Sequence, residues 1–162
     1  MIFVTVGTHE QGFERLIEAV DNLKRDGVLQ EDIYMQIGFS KYKPLHCKWD
    51  RFMDFEQMKI FESKAKIVIT HGGPSTFMEV LNLGKTPIVV PRQKKFDEHI
   101  NDHQILFAKK VKEKGYPIIV VDDICDLKKV IFNATEIENI KSNNNNFLKG
   151  FITEIDFVFK NK

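Results

Sequence analysis

The sequence predicts an α/β fold built on a parallel sheet, and three observations carry this prediction. Short β-branched runs alternate with longer segments of helical periodicity, a pattern typical of strands joined by covering helices. The length of 162 residues, 43% of them hydrophobic, suits one ordinary globular domain. Two cysteines, Cys47 and Cys125, are too few for a disulfide framework and favour a reducing compartment. We therefore expect a single Rossmann-like domain.

The first half of the chain contains three candidate strands and two candidate helices. The apolar run Ile2–Val6 has no basic region before it and no small-residue cleavage site after it, so it is predicted to be a buried strand and not a signal peptide. Apolar residues between Phe13 and Leu23 have the spacing of an amphipathic helix, which Gly27 closes. Two further strands and a second helix are expected at residues 32–37, 49–52 and 55–63.

The second half continues the same alternation. Lys66–Thr70 is a short β-branched run that a Gly-Gly-Pro turn ends, which predicts a strand. Pro74 suits the first position of a helix that extends to about Leu83, and Gly84 stands where a C-terminal cap belongs. The remaining predicted elements are strands at residues 88–90 and 118–121 and a helix at residues 100–114.

The C-terminal segment is expected to be distinct from the main domain, residues 1–141. Four consecutive asparagines, residues 143–146, indicate a hinge within residues 142–162. Apolar residues between Phe147 and Phe159 then recur at the spacing of an amphipathic helix. This helix either packs on its own sheet or docks on a membrane-bound partner, and the sequence leaves both open.

Charge and motif spacing exclude several functions. With 24 basic and 23 acidic residues the net charge is +1, which argues against bulk nucleic-acid binding. No apolar run approaches the length that spans a bilayer. Gly84-Lys85-Thr86 resembles the end of a P-loop, but Glu79 stands where the leading glycine belongs. The first turn, residues 7–12, lacks the G-x-G-x-x-G spacing of a dinucleotide site.

The segment Thr70–Glu79 predicts a phosphate-binding turn. Gly72 and Gly73 allow a ligand to approach the backbone, and the helix that follows favours an anion at its N-terminus. Glu79 lies one turn further along the helix, where its carboxylate can accept hydrogen bonds from a ribose. The alternative is that the glycines only make a tight turn and that Glu79 is a solvated helix residue.

A second polar cluster, residues 91–104, follows the strand at residues 88–90. Ligands of open α/β sheets bind beyond the carboxyl ends of the strands, so this cluster and the His71 turn are expected to line one crevice. Arg92 is a candidate phosphate ligand. Sugar hydroxyls need mixed donors and acceptors, for which the candidates are Asp102, His103 and Gln104. His99 and His103 have no third ligand, so no metal site is predicted; the alternative for the whole cluster is a solvated helix start.

His9 and Glu10 follow the first strand at the same edge of the predicted sheet. A neutral histidine there can act as a general base, and Glu10 can orient it or take a proton itself. These two residues are the predicted catalytic pair. The alternative is a capping or loop role for both.

Four motifs of the chain are informative together: Phe-Val-Thr-Val-Gly-Thr near the start, then Thr-His-Gly-Gly-Pro-Ser-Thr-Phe-Met-Glu, Val-Pro-Arg and Glu-His-Ile-Asn-Asp-His-Gln. They resemble the nucleotide-sugar domain of family 28 glycosyltransferases, and the resemblance covers about residues 1–125. The resemblance extends to two-component bacterial capsular and exopolysaccharide enzymes and to the catalytic subunit of the eukaryotic UDP-GlcNAc transferase. It implies a fold equivalent to the C-terminal, donor-binding half of a GT-B glycosyltransferase.

The resemblance also implies roles for individual residues. The glycine loop after the first strand and the helix turn would hold the diphosphate, Glu79 the ribose, and Phe55 to Met58 the uracil, while His103 and Gln104 would face the sugar. We count as donor-binding Gly7, Thr8, Phe55, Met58, His71, Gly72, Gly73, Ser75, Thr76, Glu79, Arg92, His99, Asp102, His103 and Gln104. The chain has no D-x-D motif, in agreement with the metal-independent chemistry of the family.

The function expected from this resemblance is inverting transfer of a hexose, galactose or N-acetylglucosamine, from a UDP-sugar to a lipid-diphosphate-linked saccharide. The UDP-sugar is a substrate, and no cofactor is expected. The expected partner is a membrane-anchored acceptor-binding subunit, which would hold this chain at the inner, cytoplasmic face of the membrane and could supply the general base in place of His9. The alternatives are a non-catalytic UDP-sugar-binding subunit and a UDP-sugar 2-epimerase.

Overall fold

The computed structural model describes residues 1–134, which form an α/β domain around one six-stranded sheet. All five strand pairs are parallel, and the strand order is β3-β2-β1-β4-β5-β6. The strands are β1 (Ile2–Thr5), β2 (Ile33–Gln36), β3 (Lys48–Asp50), β4 (Ile67–His71), β5 (Ile88–Val90) and β6 (Ile119–Val120). The predicted fold class is therefore confirmed, and the order is that of a doubly wound sheet.

Helices cover both faces of this sheet. They are α1 (Glu14–Arg25), α2 (Phe55–Lys64), α3 (Pro74–Asn82), α4 (His103–Glu113) and α5 (Leu127–Ala134), with short 3₁₀ turns at Lys94–Phe96 and Ile124–Asp126. Because side chains alternate along a strand, Ile2 and Val4 pack with α1 and α5, whereas Phe3 faces the opposite side. Helices α2, α3 and α4 contribute to the two clusters on that opposite side.

The start of α4 differs from the sequence prediction. The helix begins at His103, three residues later than expected. Asp97 has a left-handed backbone with φ of 56°, and the Asp102 carboxylate accepts the backbone N–H of Lys94 at 2.8 Å. This bond ties Asp102 to the preceding turn, so residues 97–102 remain outside the helix.

The predicted hinge and terminal helix, residues 142–162, lie outside the described residues. Within residues 1–134, no helix is both long and apolar enough to cross a membrane.

Candidate functional site

The turns after β1 and β4 emerge side by side. The two strands are parallel neighbours, and Thr5 pairs with Thr70 near their carboxyl ends. The His71 ring lies between the turns: a Cβ on Gly7 would stand 2.5 Å from Cε1 of this ring, and one on Gly73 would collide with Nε2. Gly7 also has a φ of 73°, a conformation that favours glycine. A side chain at either glycine would therefore displace the His71 ring that lies between the two turns.

The His71 imidazole is neutral at physiological pH. Burial, and secondly the positive charge of Arg92, lower its pKa to about 3. A neutral ring adds no positive charge to the crevice, so attraction of an anion to this place depends on backbone N–H groups.

The N-terminus of α3 supplies such groups. Gly73 is the N-cap residue and has no side chain to accept a hydrogen bond, and Pro74 has no N–H. The N–H groups of Ser75 and Thr76 therefore point out of the first turn without a side-chain cap, at the positive end of the helix dipole. The predicted phosphate-binding turn has the geometry of an anion site.

The Gln104 side chain bridges two loops in this structure, whereas the resemblance implies that it faces the donor sugar. Its Oε1 accepts the backbone N–H groups of Gly72 and Arg92, both at 3.1 Å. The side-chain oxygen thus joins the turn after β4 to the segment after β5. Gly72 therefore does not offer its N–H to a ligand in this arrangement.

Gln36 is a site residue that the sequence reasoning missed. It is 2% exposed, and its Oε1 accepts the Thr5 hydroxyl at 2.7 Å and the Gly7 N–H at 3.1 Å. Its Nε2 donates to the carbonyls of Gly7 and Arg51, each at 3.0 Å. The Gln36 side-chain amide therefore holds the turn after β1 in place. A glutamine in an otherwise apolar strand was the available signal, because a buried amide needs partners.

Arg92, a candidate phosphate ligand in the sequence analysis, is bound to backbone carbonyls in this structure. The residue is 1% exposed. Its Nη1 donates to the carbonyls of Gln11, Gly12 and Glu98, and its Nη2 donates to Val6 O at 2.9 Å. Because these carbonyls occupy both terminal nitrogens, Arg92 instead holds together the loops that follow β1 and β5.

His9 and His99 are brought together at the edge of the crevice, with ring centroids 4.8 Å apart. Burial, then Arg92 and His99, lower the pKa of His9, and the charge of Glu10 opposes them. His9 Nδ1 accepts the Gln11 N–H at 3.1 Å, so the neutral ring carries its proton on Nε2. Acceptance of a proton at Nε2 therefore requires the other tautomer and loss of the Gln11 bond.

Other residues that the sequence analysis counted as donor-binding lie around the start of α4. His99 Nδ1 accepts the Asn101 N–H at 3.3 Å, and His103 lies exposed as the first residue of the helix. Asp102 is partly committed to the Lys94 N–H, as described above. Thr8, exposed beside Gly7, is on the opposite side of the crevice.

The expected nucleoside-binding residues lie on α2 and α3. Phe55 is 56% exposed at the start of α2, with Lys59 Nζ 4.2 Å from its ring centroid, whereas Met58 packs on the cluster that contains Phe3. Lys59 and Glu79 line the same open groove of about 560 Å³ between the two helices. Glu79, the residue predicted to bind the ribose, therefore shares this groove with α2.

No group of three or more His, Cys, Asp or Glu side chains is placed to hold a metal ion within residues 1–134. A doubly wound sheet with glycine turns at an uncapped helix N-terminus is an arrangement that many α/β domains use to bind phosphate.

Residues 1–154 match the glycosyltransferase family 28 C-terminal domain, and the chain belongs to this family. Over 124 residues it is 31% identical to human UDP-N-acetylglucosamine transferase subunit ALG13, a match that covers 71% of this chain and 10% of ALG13. The chain thus spans about a tenth of that relative's length. The resemblance inferred from the sequence motifs is confirmed.

Two solved structures share the fold. The glycotransferase of kitacinnamycin superposes with a TM-score of 0.62 at 17% identity, over 92% of this chain and 37% of that one. MurG of Acinetobacter baumannii superposes with a TM-score of 0.52 at 20% identity, over 80% of this chain and 40% of MurG. The domain matches the C-terminal half of a GT-B glycosyltransferase, as expected.

Proposed function

We propose that the chain is the donor-binding, catalytic subunit of an inverting, metal-independent glycosyltransferase. It transfers a hexose, galactose or N-acetylglucosamine, from a UDP-sugar to a lipid-diphosphate-linked saccharide in capsular or exopolysaccharide synthesis. Membership of family 28 supports the reaction class. The choice of sugar, acceptor and pathway rests on the motif resemblance.

The uncapped N-terminus of α3 is the observation that carries this proposal. The His71 ring lies between it and the Gly7 turn, and a diphosphate at this N-terminus can accept hydrogen bonds from the Ser75 and Thr76 N–H groups. Negative charge builds up on UDP as its bond to the sugar breaks. Fixed N–H donors and the helix dipole stabilise that charge without a divalent ion.

The nucleoside end of the donor is assigned to α2 and α3. Glu79 is half-buried in the groove between these helices, where its carboxylate can accept both ribose hydroxyls. The exposed Phe55 ring offers a flat surface at the start of α2 for the uracil.

A membrane-anchored partner that binds the acceptor is part of the proposal. The human relative is named as a subunit of a UDP-N-acetylglucosamine transferase, which supports assembly with a second chain. Such a partner would place this chain at the cytoplasmic face of the membrane.

Membranes that contain a candidate partner test the reaction. This chain is added with radiolabelled UDP-galactose, UDP-N-acetylglucosamine or UDP-glucose in the presence of EDTA, and label in extracted lipid is counted. One of the first two donors should label lipid only when both proteins are present, with inverted anomeric configuration by NMR. Transfer that requires a divalent ion, or retains configuration, would contradict the proposed mechanism.

The rival function is a non-catalytic UDP-sugar-binding subunit. One observation favours it: His9 Nδ1 is occupied by the Gln11 N–H, so the ring as placed presents a proton at Nε2 instead of a lone pair. In that case the partner supplies the general base. The same assay with a His9 variant, described in the Discussion, separates the two functions.

A further inference from the structure

Glu62 is a buried carboxyl group at the floor of the groove between α2 and α3. The residue is 0% exposed, and neither carboxyl oxygen has a hydrogen-bond partner among the described residues. Its neighbours along the groove wall are Lys59, Ile60 and Ser63 from α2 and Glu79, Asn82 and Leu83 from α3. Burial of a charged group without partners is strongly unfavourable, so Glu62 is not accommodated here as an isolated carboxylate.

The surrounding charges do not neutralise a Glu62 carboxylate. Glu79, which faces it from α3, repels the ionised form. Lys85, in the segment between α3 and β5, attracts it, but the Lys85 ammonium is committed to the backbone carbonyls of Glu62, Ser63 and Ala65. Lys59 lines the groove with its Nζ over the Phe55 ring. Burial and the charge of Glu79 raise the pKa of Glu62 to about 7, against the weaker effect of Lys85.

Two carboxyl groups therefore share one groove with different exposures. Glu79 is half-buried and open to a ligand, whereas Glu62 is closed off beneath the groove surface. Two negative charges held close in a partly dry site are unfavourable, so one group carries the proton. Burial assigns that proton to Glu62.

We propose that Glu62 is a positioning residue for Glu79: the proton on buried Glu62 limits the groove to one negative charge, that of Glu79, which is directed at the ribose hydroxyls of a nucleotide. This inference rests on the proposed function, since it requires that Glu79 binds ribose. Glu62 itself touches no ligand and acts through Glu79.

Proton uptake on nucleotide binding follows from this arrangement. A bound ribose removes water from Glu79, so the Glu79 charge acts on Glu62 with less screening and favours its protonated form further. Above neutral pH, where free Glu62 is partly ionised, binding must draw a proton from the buffer. The affinity for UDP should then fall with rising pH, by at most about tenfold per pH unit for one proton.

Isothermal titration calorimetry with UDP tests the proposal on the full chain. Titrations at pH 6.0 and 8.0, in buffers of different ionisation enthalpy, give the number of protons bound. We expect the wild type to take up more protons at pH 8.0 than Glu62→Gln, which keeps the shape of a neutral carboxyl group. The ionisation of UDP itself is common to both proteins and cancels in this comparison. Glu62→Gln should also retain its pH 6.0 affinity at pH 8.0 better than the wild type does.

Glu18→Gln is the matched control, because it makes the same change at an exposed position of α1 on the opposite face of the sheet. It should behave as the wild type. Equal proton uptake by wild type and Glu62→Gln would overturn the role of Glu62 while leaving UDP binding intact. The wild type alone also tests the proposal, in case the variant does not fold. If the wild type takes up no proton beyond those that the ionisation of UDP accounts for, the proposal fails. If the wild type does not bind UDP at either pH, the proposed function is wrong, and this inference fails with it.

Discussion

Individual side chains at the crevice divide into those that can meet a ligand and those that hold the loops in place. Gln36 and Arg92 are buried, and their hydrogen-bonding groups serve backbone atoms of the loops after β1, β3 and β5. Glu79 and His9 remain partly accessible. The residue-scale predictions therefore concern these two groups.

Replacing Glu79 by alanine should weaken UDP binding. Hydrogen bonds to a charged group contribute about 1.5–3 kcal/mol, which corresponds to roughly 10- to 150-fold in affinity. Calorimetry with UDP measures the loss, and Glu18→Ala on α1 is the control. An unchanged affinity would remove Glu79 from the donor site.

Replacing His9 by alanine separates catalysis from binding. If His9 is the general base, transfer in the membrane assay should fall by about 10²- to 10⁴-fold while the affinity for UDP is retained. Because the pKa of His9 is lowered, its neutral form persists below pH 6.5, and the acid limb of the rate profile should lie below that value. Full activity of the variant would assign the base to the partner.

At the scale of elements, hydrogen bonds between loops fix the carboxyl edge of the sheet. Arg92, directly after β5, reaches three carbonyls of the loop after β1, those of Val6, Gln11 and Gly12. The charge is offset by Glu98, which also pairs with Arg15 on α1 at 2.8 Å. These contacts bind the two sides of the crevice to each other.

Arg92→Met should therefore destabilise the whole domain. It leaves several buried carbonyls without donors, for a loss in the free energy of unfolding of about 3 kcal/mol or more. Urea denaturation followed by circular dichroism measures the change. Lys95→Met, an exposed substitution in the same segment, should shift stability by less than about 0.5 kcal/mol. Similar effects of the two substitutions would mean that the Arg92 network contributes little.

The burial of Glu62 between α2 and α3 should make the free energy of unfolding depend on pH. Unfolded Glu62 releases its proton near pH 4.5, whereas folded Glu62 keeps it up to about pH 7. The folded state thus binds more protons between these values, and its stability falls as pH rises through this window, by up to about 3 kcal/mol. Glu62→Gln should lack this decline in denaturation series at pH 4.5 to 8. A parallel decline in both proteins would assign it to other groups.

Much of the element order was predictable because strands and helices leave periodic apolar patterns. The turn at Gly72 and Gly73 and the Pro74 helix start appear where the sequence predicts them, and the strand predicted at Lys66–Thr70 is found one residue later, at Ile67–His71. The late start of α4 was not predictable, because it depends on the Asp102 bond to the Lys94 N–H. The role of Arg92 was missed because an arginine after a strand looks the same whether it faces phosphate or backbone.

At the scale of the whole molecule, the described domain presents exposed apolar side chains at the carboxyl edge of the sheet. Phe39 and Phe52 are 51% and 45% exposed, and their rings meet edge to face with centroids 5.0 Å apart.

The C-terminal segment, expected to dock on a partner or to pack on the sheet, lies outside the described residues. A truncation distinguishes these two roles.

If the C-terminal segment docks on the proposed membrane-anchored partner, removing the residues after Asn146 should abolish that assembly and leave UDP binding intact. Each apolar side chain buried at an interface contributes roughly 1.5–3 kcal/mol, so loss of the apolar residues between Phe147 and Phe159 exceeds what most complexes tolerate. Co-purification measures assembly, and calorimetry with UDP measures the site. An unfolded truncated protein would show that this segment packs on its own sheet.

The sequence by itself determined the parallel α/β fold, the glycine turn at Gly72–Gly73 and the family, because periodicity and local glycine and proline chemistry are written along the chain. Only the tertiary structure decided the contacts between distant residues. It assigned Gln36 and Arg92 to the support of the loops, left Glu79 open in the groove and placed Glu62 beneath it without a partner. Whether such groups face water, backbone or one another depends on burial and distance, which emerge only when strands far apart in sequence become neighbours.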